Sequence, residues 1–253
     1  MAGNDWERTP SLFAQSHRYL ATSESRLARA IRKIYKAIRN ISVPAPKLIV
    51  RPILTVVLFV RSVYYFLVRV FFCEPLFKAY CKSYGRNLHT GVFLHWVQGR
   101  GDLIIGDNVI IDGACNFFFA ARYTQNPTLV IGDHTGIGHS CSFVVGNRIT
   151  IGKHCRLAAG IQIFDVSGHP VDPADRMAGK PANQEDVRPV TIGDNVWIGS
   201  NVIIHSGVSI GDNSIVSTGS IVMSSVAANT IVAGNPARQI RVIPSSQPAT
   251  PTT

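Results

Sequence analysis

The sequence predicts an all-β fold, a parallel solenoid wound as a triangular prism, behind an α-helical N-terminal extension. Two observations carry this. From Val190 to Val226 a bulky aliphatic recurs every sixth residue, at Ile192, Ile198, Ile204, Ile210, Val216 and Val222, and Val196, Val202, Val208, Ser214, Ser220 or Val226 follows each by four. A period of six is neither helical nor a simple alternation. It suits units of one short strand and one corner, three to a coil, which bury their apolar edge only by stacking on neighbours. The second observation is a sharp change of character: Leu48 to Cys73 is apolar and Ser23 to Asn40 is basic, and neither carries the period.

In each unit the recurring aliphatic points inward, the small residue four later fits the corner, and the Gly-Asp-Asn clusters supply turn chemistry. Successive coils stack at about 4.8 Å. The period extends back through Ile105, Ile111 and Phe117, then Ile131, Ile137, Phe143 and Ile149, then Ile151, Leu157 and Ile163. Departures from eighteen residues per coil locate the loops. Ile105 to Ile131 is 26 residues, so about eight protrude near Ala120 to Pro127; Ile131 to Ile151 is 20, a two-residue slip near Gly146 to Thr150. Ile151 to Ile192 is 41, which leaves about 23 residues beyond one coil. Long insertions on a rigid scaffold are where function concentrates.

Residues 1 to 90 hold 15 Lys/Arg against 4 Asp/Glu, a net of +11, and the remainder holds 10 against 11. The chain's net charge of +10 therefore belongs to the N-terminal third, and no nucleic-acid partner is expected of the repeats. The five cysteines form no C-x-x-C pair, and Cys115, Cys141 and Cys155 fall in corner slots four after Ile111, Ile137 and Ile151. They read as buried reduced thiols. Residues 1 to 25 are polar and read as no cleavable leader.

In chain order, residues 1–22 read as poorly ordered and residues 23–86 as a helical, membrane-associated region. Leu27, Ile31, Ile34, Tyr35 and Ile38 line one face of the first helix, with Arg26, Arg29, Arg32, Lys33, Lys36 and Arg39 on the others. Arg51, Arg61 and Arg69 leave uncharged runs of nine and seven in the apolar segment, short of the ~20 residues of a span. On a helix these arginines lie within about an 80° arc. A narrow basic stripe on an apolar helix predicts burial at the interface of an anionic membrane, its arginines reaching phosphate, with a true span and an ordinary packed or oligomer-forming helix as the alternatives. After a connector at Cys81 to Gly85, residues 87–243 read as the solenoid domain and 244–253 as a disordered tail.

The largest insertion opens S-G-H-P-V-D-P-A-D-R-M-A-G-K-P, with His169 leaving the prism near Asp165, Asp172 and Asp175. A neutral imidazole accepts a proton from an attacking hydroxyl or amine, and a neighbouring carboxylate or carbonyl fixes its tautomer. This loop, the following R-P-V-T-I-G-D-N-V-W-I-G-S and the exit V-A-G-N-P-A-R-Q-I-R together resemble the hexapeptide-repeat acyltransferases, in the branch of maltose, galactoside and nodulation-factor O-acetyltransferases. The likeness runs from Ile105 to Ile243. It implies a left-handed parallel β-helix, a homotrimer and acetyl-CoA as acyl donor, with no metal. His169 matches the family's general base, and the Ser200 backbone N–H matches its thioester-oxygen donor. Ser200, Thr218, Met223, Ser224, Arg238 and Arg241 match its coenzyme A groove, with Arg238 and Arg241 on phosphate. Trp197 and Asp172 are the candidate acceptor contacts.

Two departures bear on the substrate. The family commonly has Thr-Lys where this chain has Met223-Ser224, and its sugar-binding Asn and Asp align with Gly138 and Val145. A simple free disaccharide or galactoside is therefore not the expected acceptor. A lipid-linked or polymeric surface glycan is, acetylated on oxygen at the cytoplasmic side of the inner membrane. An N-acetyltransferase of an amino-sugar nucleotide is the nearer alternative. A zinc enzyme resembling γ-class carbonic anhydrases, through His134, His139 and His154, and a non-catalytic scaffold are the others.

Overall fold

The computed structural model describes residues 18–244. The expectations for residues 1–17 and 245–253 lie outside the described residues. The chain divides into two compact units, up to Phe59 and from Val60 onward.

In the first unit α1 (Arg26–Arg39) begins where Ser25 Oγ accepts the Ala28 N–H. That satisfies one of the N–H groups a helix start leaves free. Its apolar stripe of Leu27, Ile34, Tyr35 and Ile38 is exposed. The long helix α2 (Lys47–Val68) has no buried residue. It continues through a π turn at Arg69–Cys73 into α3 (Glu74–Tyr80). The whole run, Lys47–Tyr80, is 34 residues and by length and composition is apolar enough to cross a membrane.

The second unit is a three-faced solenoid in which each coil adds one strand to each of three sheets. Sheet A stacks β1 (Ser83–Tyr84), β4 (Asp102–Ile105), β7 (Thr128–Ile131), β10 (Arg148–Ile151), β13 (Val190–Ile192) and β16 (Ser209–Ile210). Sheet B stacks β2 (His89–Thr90), β5 (Ile110–Ile111), β8 (Gly136–Ile137), β11 (Arg156–Leu157), β14 (Trp197–Ile198), β17 (Ile215–Val216), β19 (Thr230–Gly234) and β20 (Ala237–Val242). Sheet C stacks β3 (Trp96–Gly99), β6 (Asn116–Phe119), β9 (Ser142–Val145), β12 (Gln162–Phe164), β15 (Ile203–Ile204) and β18 (Ile221–Val222). Every pairing is parallel except β19 with β20, which form a closing hairpin.

The hexapeptide columns are the core. Ile105 pairs with Ile131, Ile131 with Ile151, Ile151 with Ile192 and Ile192 with Ile210. Each loop is thus extruded without disturbing the stack. All six repeating aliphatics from Ile192 to Val222 are buried, as are Cys115, Cys141 and Cys155 in their corners. Burying one such aliphatic contributes about 1.5–3 kcal/mol. The cysteines are free thiols.

The first corner of each coil turns through a left-handed residue: Asn87, Asn108, His134, His154, Asn195, Asn213 and Asn229 all have φ near +57°. Asn tolerates this conformation, and here the amides also bond coil to coil, as in Asn195 to Asn213 at 2.9 Å. His134 and His154 occupy two of these slots, and their rings stack 4.8 Å apart. His139 lies at the next corner, so the three imidazoles of the zinc alternative do not converge within the chain. Among the described residues no cluster of three or more His, Cys, Asp or Glu is placed to hold a metal.

The solenoid starts earlier than the expected connector allows, since β1 to β3 make a further coil. Tyr84, Thr90 and Val97 stand in register with Ile105, Ile111 and Phe117, but of the three only Thr90 is buried, and Tyr84 at the open end is exposed. No aliphatic period marks it. Its open end is closed by α3, whose buried Phe77 packs on His95 with ring centroids 4.4 Å apart and on Phe117 at 5.6 Å. Both His95 nitrogens are buried without a hydrogen-bond partner, and burial pushes its pKa down from 6.5 to about 4.

His95→Phe should therefore stabilise the fold. At pH 7 the gain is about 1 kcal/mol, from removing unpaired polar atoms. The unfolded imidazole protonates near 6.5 and the folded one near 4, so the wild type loses stability as pH falls through that window. The advantage of the variant grows by roughly 3 kcal/mol by pH 4. Urea midpoints of both proteins at the two pH values measure it.

Candidate functional site

The large insertion, residues 165–189, leaves sheet C after β12 and returns at β13. Its neck is held by Asp165, which is fully buried. Asp165 Oδ1 accepts the Gly146 N–H at 2.5 Å, and Oδ2 accepts those of Asn147 at 2.8 Å and Arg148 at 2.6 Å. The two-residue slip is this tight turn between β9 and β10. Burial raises the Asp165 pKa, against the opposing pull of the three N–H donors. Its own carbonyl accepts the Arg188 N–H at 2.8 Å, which joins the two ends of the insertion. Val166, Ala182 and Val187 form a small apolar cluster with Tyr123, from the eight-residue loop between β6 and β7.

His169 is carried out from this neck and is solvent-exposed. Among the described residues no side chain hydrogen-bonds its imidazole; its carbonyl accepts from Ser167 Oγ at 3.2 Å. The loop is clamped from within by Arg176, whose Nη1 donates to the carbonyls of Pro170 at 3.0 Å and Val171 at 2.9 Å. Arg176 lies on the five-residue helix α4 (Pro173–Met177). Asp172, expected at the acceptor, is the N-cap of that helix, its Oδ1 accepting the Asp175 N–H at 2.9 Å. Asp165 belongs to the fold and does not orient His169, because its carboxylate is consumed by backbone donors.

The other candidate residues fall on two parts of the prism. On the outer face of sheet B the paired column runs Ile110, Gly136, Arg156, Trp197, Ile215, Ile231 and Arg241. Gly136 leaves a gap in that column, and a groove of about 470 Å³ opens between Ile110 and Trp197. Arg156 forms part of its wall, fixed by donation from Nη1 to the His134 carbonyl at 2.6 Å. Arg238 and Arg241 are exposed on the closing strand β20 of the same sheet.

Ser200 and Thr218 stand one above the other at the corner after sheet B. Ser200 accepts the Gly219 N–H through its carbonyl at 2.9 Å. Gly199 lies so close to the next coil that an added Cβ would meet the Thr218 nitrogen at 2.5 Å. The corner packing therefore fixes where the Ser200 amide sits. Met223 and Ser224 are exposed at the corner after sheet C, the corner from which the His169 loop also departs two coils below. No hydrogen bond links His169 to Trp197, Ser200 or Thr218 within the described residues of one chain.

Val145 is fully buried, and Gly138 has no side chain. Neither can contact a sugar in the manner of the Asn and Asp they replace. His205, which the sequence reading passed over, stands at the sheet C corner with its ring edge-on to Phe164 at 4.7 Å.

Three parallel sheets built from hexapeptides, with a histidine loop extruded beside the C-terminal coils, define a class of parallel β-helix. The pattern described as the hexapeptide repeat of succinyl-transferase matches residues 128–164 and 189–224. A Dictyostelium discoideum protein named as an acetyltransferase is 49% identical over 38% of this chain and 48% of its own length. One from Saccharomyces cerevisiae, also named as an acetyltransferase, is 38% identical over 54% of this chain and 64% of its own. The chain thus spans about half to two thirds of these curated relatives. A hexapeptide-repeat acetyltransferase of Vibrio cholerae, crystallised with acetyl-CoA, superposes with a TM-score of 0.51 at 28% identity, over 72% of this chain and 84% of that one. The chain thus carries the hexapeptide repeat and is similar to proteins named as acetyltransferases.

Proposed function

We propose that the protein is an acetyl-CoA-dependent O-acetyltransferase working as a left-handed, homotrimeric β-helix. The observation that carries the reading is His169, exposed on a loop clamped by Asp165 below and Arg176 within, its imidazole without a hydrogen-bond partner among the described residues. In the reaction the imidazole takes the proton of an acceptor hydroxyl as its oxygen attacks the thioester carbonyl. The tetrahedral oxyanion is held by the Ser200 N–H, the C–S bond breaks, and the proton passes to the departing coenzyme A thiolate. In this reading a neighbouring copy brings the corner after its sheet B, with Ser200 and Thr218, against the His169 corner of this one. The Vibrio relative's complex with acetyl-CoA supports the choice of donor.

The acceptor we infer is a lipid-linked or polymeric glycan, met at the cytoplasmic face of a membrane where the basic α1 and the apolar α2 lie in the interface. Buried Val145 and Gly138 argue against the simple sugar contacts of the free-sugar enzymes. The groove beside Trp197 offers an aromatic platform for a larger one. Titration of the full chain with acetyl-CoA tests the donor. Arg238→Ala and Arg241→Ala should each weaken Kd by about tenfold, the loss of one exposed charge-assisted phosphate contact. Absence of acetyl-CoA binding by the wild type would sink the proposal.

A further inference from the structure

The base of the prism carries a surface that neither the fold nor acetyl transfer explains. The π turn and α3 bury Cys73 and Phe77 and leave Phe71, Phe72, Leu76 and Tyr80 exposed. The first coil adds Phe93 at 62% exposure, Leu94 at 58% and Trp96 at 63%, and Tyr84 on its sheet A strand is exposed as well. Isolated surface apolar residues need no explanation, but a run of large aromatics on one coil and its cap does.

The charge around them is one-sided. From Val60 to Gly101 there are six cations, Arg61, Arg69, Lys78, Lys82, Arg86 and Arg100, against the single carboxylate Glu74. Glu74 is itself engaged by Arg69 at 3.1 Å and Lys78 at 2.9 Å. Lys82 and Arg86 pair with Asp102 and Asp107 but remain largely exposed.

We propose that this first coil rests in the interface of an anionic bilayer, with Phe93 and Leu94 at the acyl boundary and Trp96, Tyr84 and Tyr80 at headgroup level. The inference rests on the membrane reading above and goes beyond it, since there only the N-terminal helices touch lipid. Tyr and Trp suit the headgroup layer because one end is apolar and the other polar. A cation beside anionic lipid adds up to roughly 1 kcal/mol, and less for Arg69, Lys78, Lys82 and Arg86, which are already paired with carboxylates. A protein partner would leave the cation excess unexplained.

The consequence is geometric. The prism stands on its N-terminal end, and Trp197 lies four coils above His89 in sheet B, roughly 19 Å from the base at the ordinary strand spacing. A sugar next to its lipid phosphate does not reach the Trp197 end of that groove, although the Ile110 end lies one coil above the base. The acceptor unit is one held away from the membrane by preceding residues of an oligosaccharide.

The test uses the full chain with a nitroxide on Leu94→Cys, or on Ser209→Cys near the opposite end as control. Vesicles contain equal parts of phosphatidylcholine and phosphatidylserine. Flotation of both labelled proteins, with the Leu94 site more accessible to oxygen than to a water-soluble nickel chelate and the Ser209 site the reverse, supports the proposal. Phe93→Ser with Trp96→Ser should then weaken vesicle partitioning by about tenfold or more. Failure of the wild type to float would remove the membrane reading itself. Flotation with a chelate-accessible Leu94 site would overturn base docking alone, leaving the helices as the anchor. A Leu94 site shielded from both reagents, with vesicle-free protein showing the same shielding, would assign the patch to a second copy and also overturn it.

Discussion

His169→Ala is expected to lower kcat for acetyl transfer by about 10³-fold, within the range that general-base catalysis supplies. The Kd for acetyl-CoA should stay unchanged, because in the proposed reaction the imidazole handles the acceptor hydroxyl while Ser200, Thr218, Arg238 and Arg241 hold the donor. That separation makes the result diagnostic. A fall in kcat with intact donor binding assigns His169 to the attacking hydroxyl; parallel loss of both would make it a donor contact. Unchanged kcat would remove it from the chemistry. The variant carries little structural risk, since the imidazole is exposed and no side chain depends on it. Stopped assays with acetyl-CoA and an oligosaccharide acceptor, alongside calorimetric titration, read the two quantities separately.

Much of the fold is legible because the hexapeptide code is local. An inward aliphatic and a small corner residue are written into each unit, so the 41-residue interval from Ile151 to Ile192 announced an insertion, and the two residues do pair across it. The first coil was not legible for the same reason. Tyr84, Thr90 and Val97 stand in its repeat positions 20 or 21 residues before their partners, Tyr84 is exposed there, and α3 supplies the burial that an aliphatic row supplies elsewhere. The left-handed slots of His134 and His154 are those that Asn fills in the other coils. Trp197 is exposed on the outer face of sheet B and lines a groove within one chain.

The loop chemistry was less transparent. His169 could be picked out only through resemblance, and Asp172 proved to be a helix cap. Arg176 carried no signal, because its carbonyl acceptors are five and six residues away on an irregular loop. The Asp165 donors are seventeen to nineteen residues earlier, on the preceding coil. No spacing rule links a carboxylate to backbone amides at that distance.

Asp165 therefore gives the second large effect. Asp165→Asn keeps the shape but turns an amide toward three N–H donors, leaving one acceptor oxygen where the carboxylate offered two. Buried donors left without an acceptor, and the loss of charge-assisted bonds, should cost about 3 kcal/mol or more. For a chain of this length that lowers Tm by roughly 6–12 °C. The damage is local in origin, because the turn at Gly146 to Arg148 and the neck of the insertion share this one carboxylate. The His169 loop is consequently displaced, and kcat should fall even at temperatures where the prism is intact. Arg176→Ala separates the two contributions. It releases the Pro170 and Val171 carbonyls on an exposed loop, so Tm should hardly move while kcat falls and donor Kd holds. If Asp165→Asn lowered Tm and left kcat untouched, the loop would be held by something other than its neck. If Arg176→Ala left kcat untouched, the position of His169 would not be set by the clamp, and the rate would have to be ascribed to the assembled neighbour.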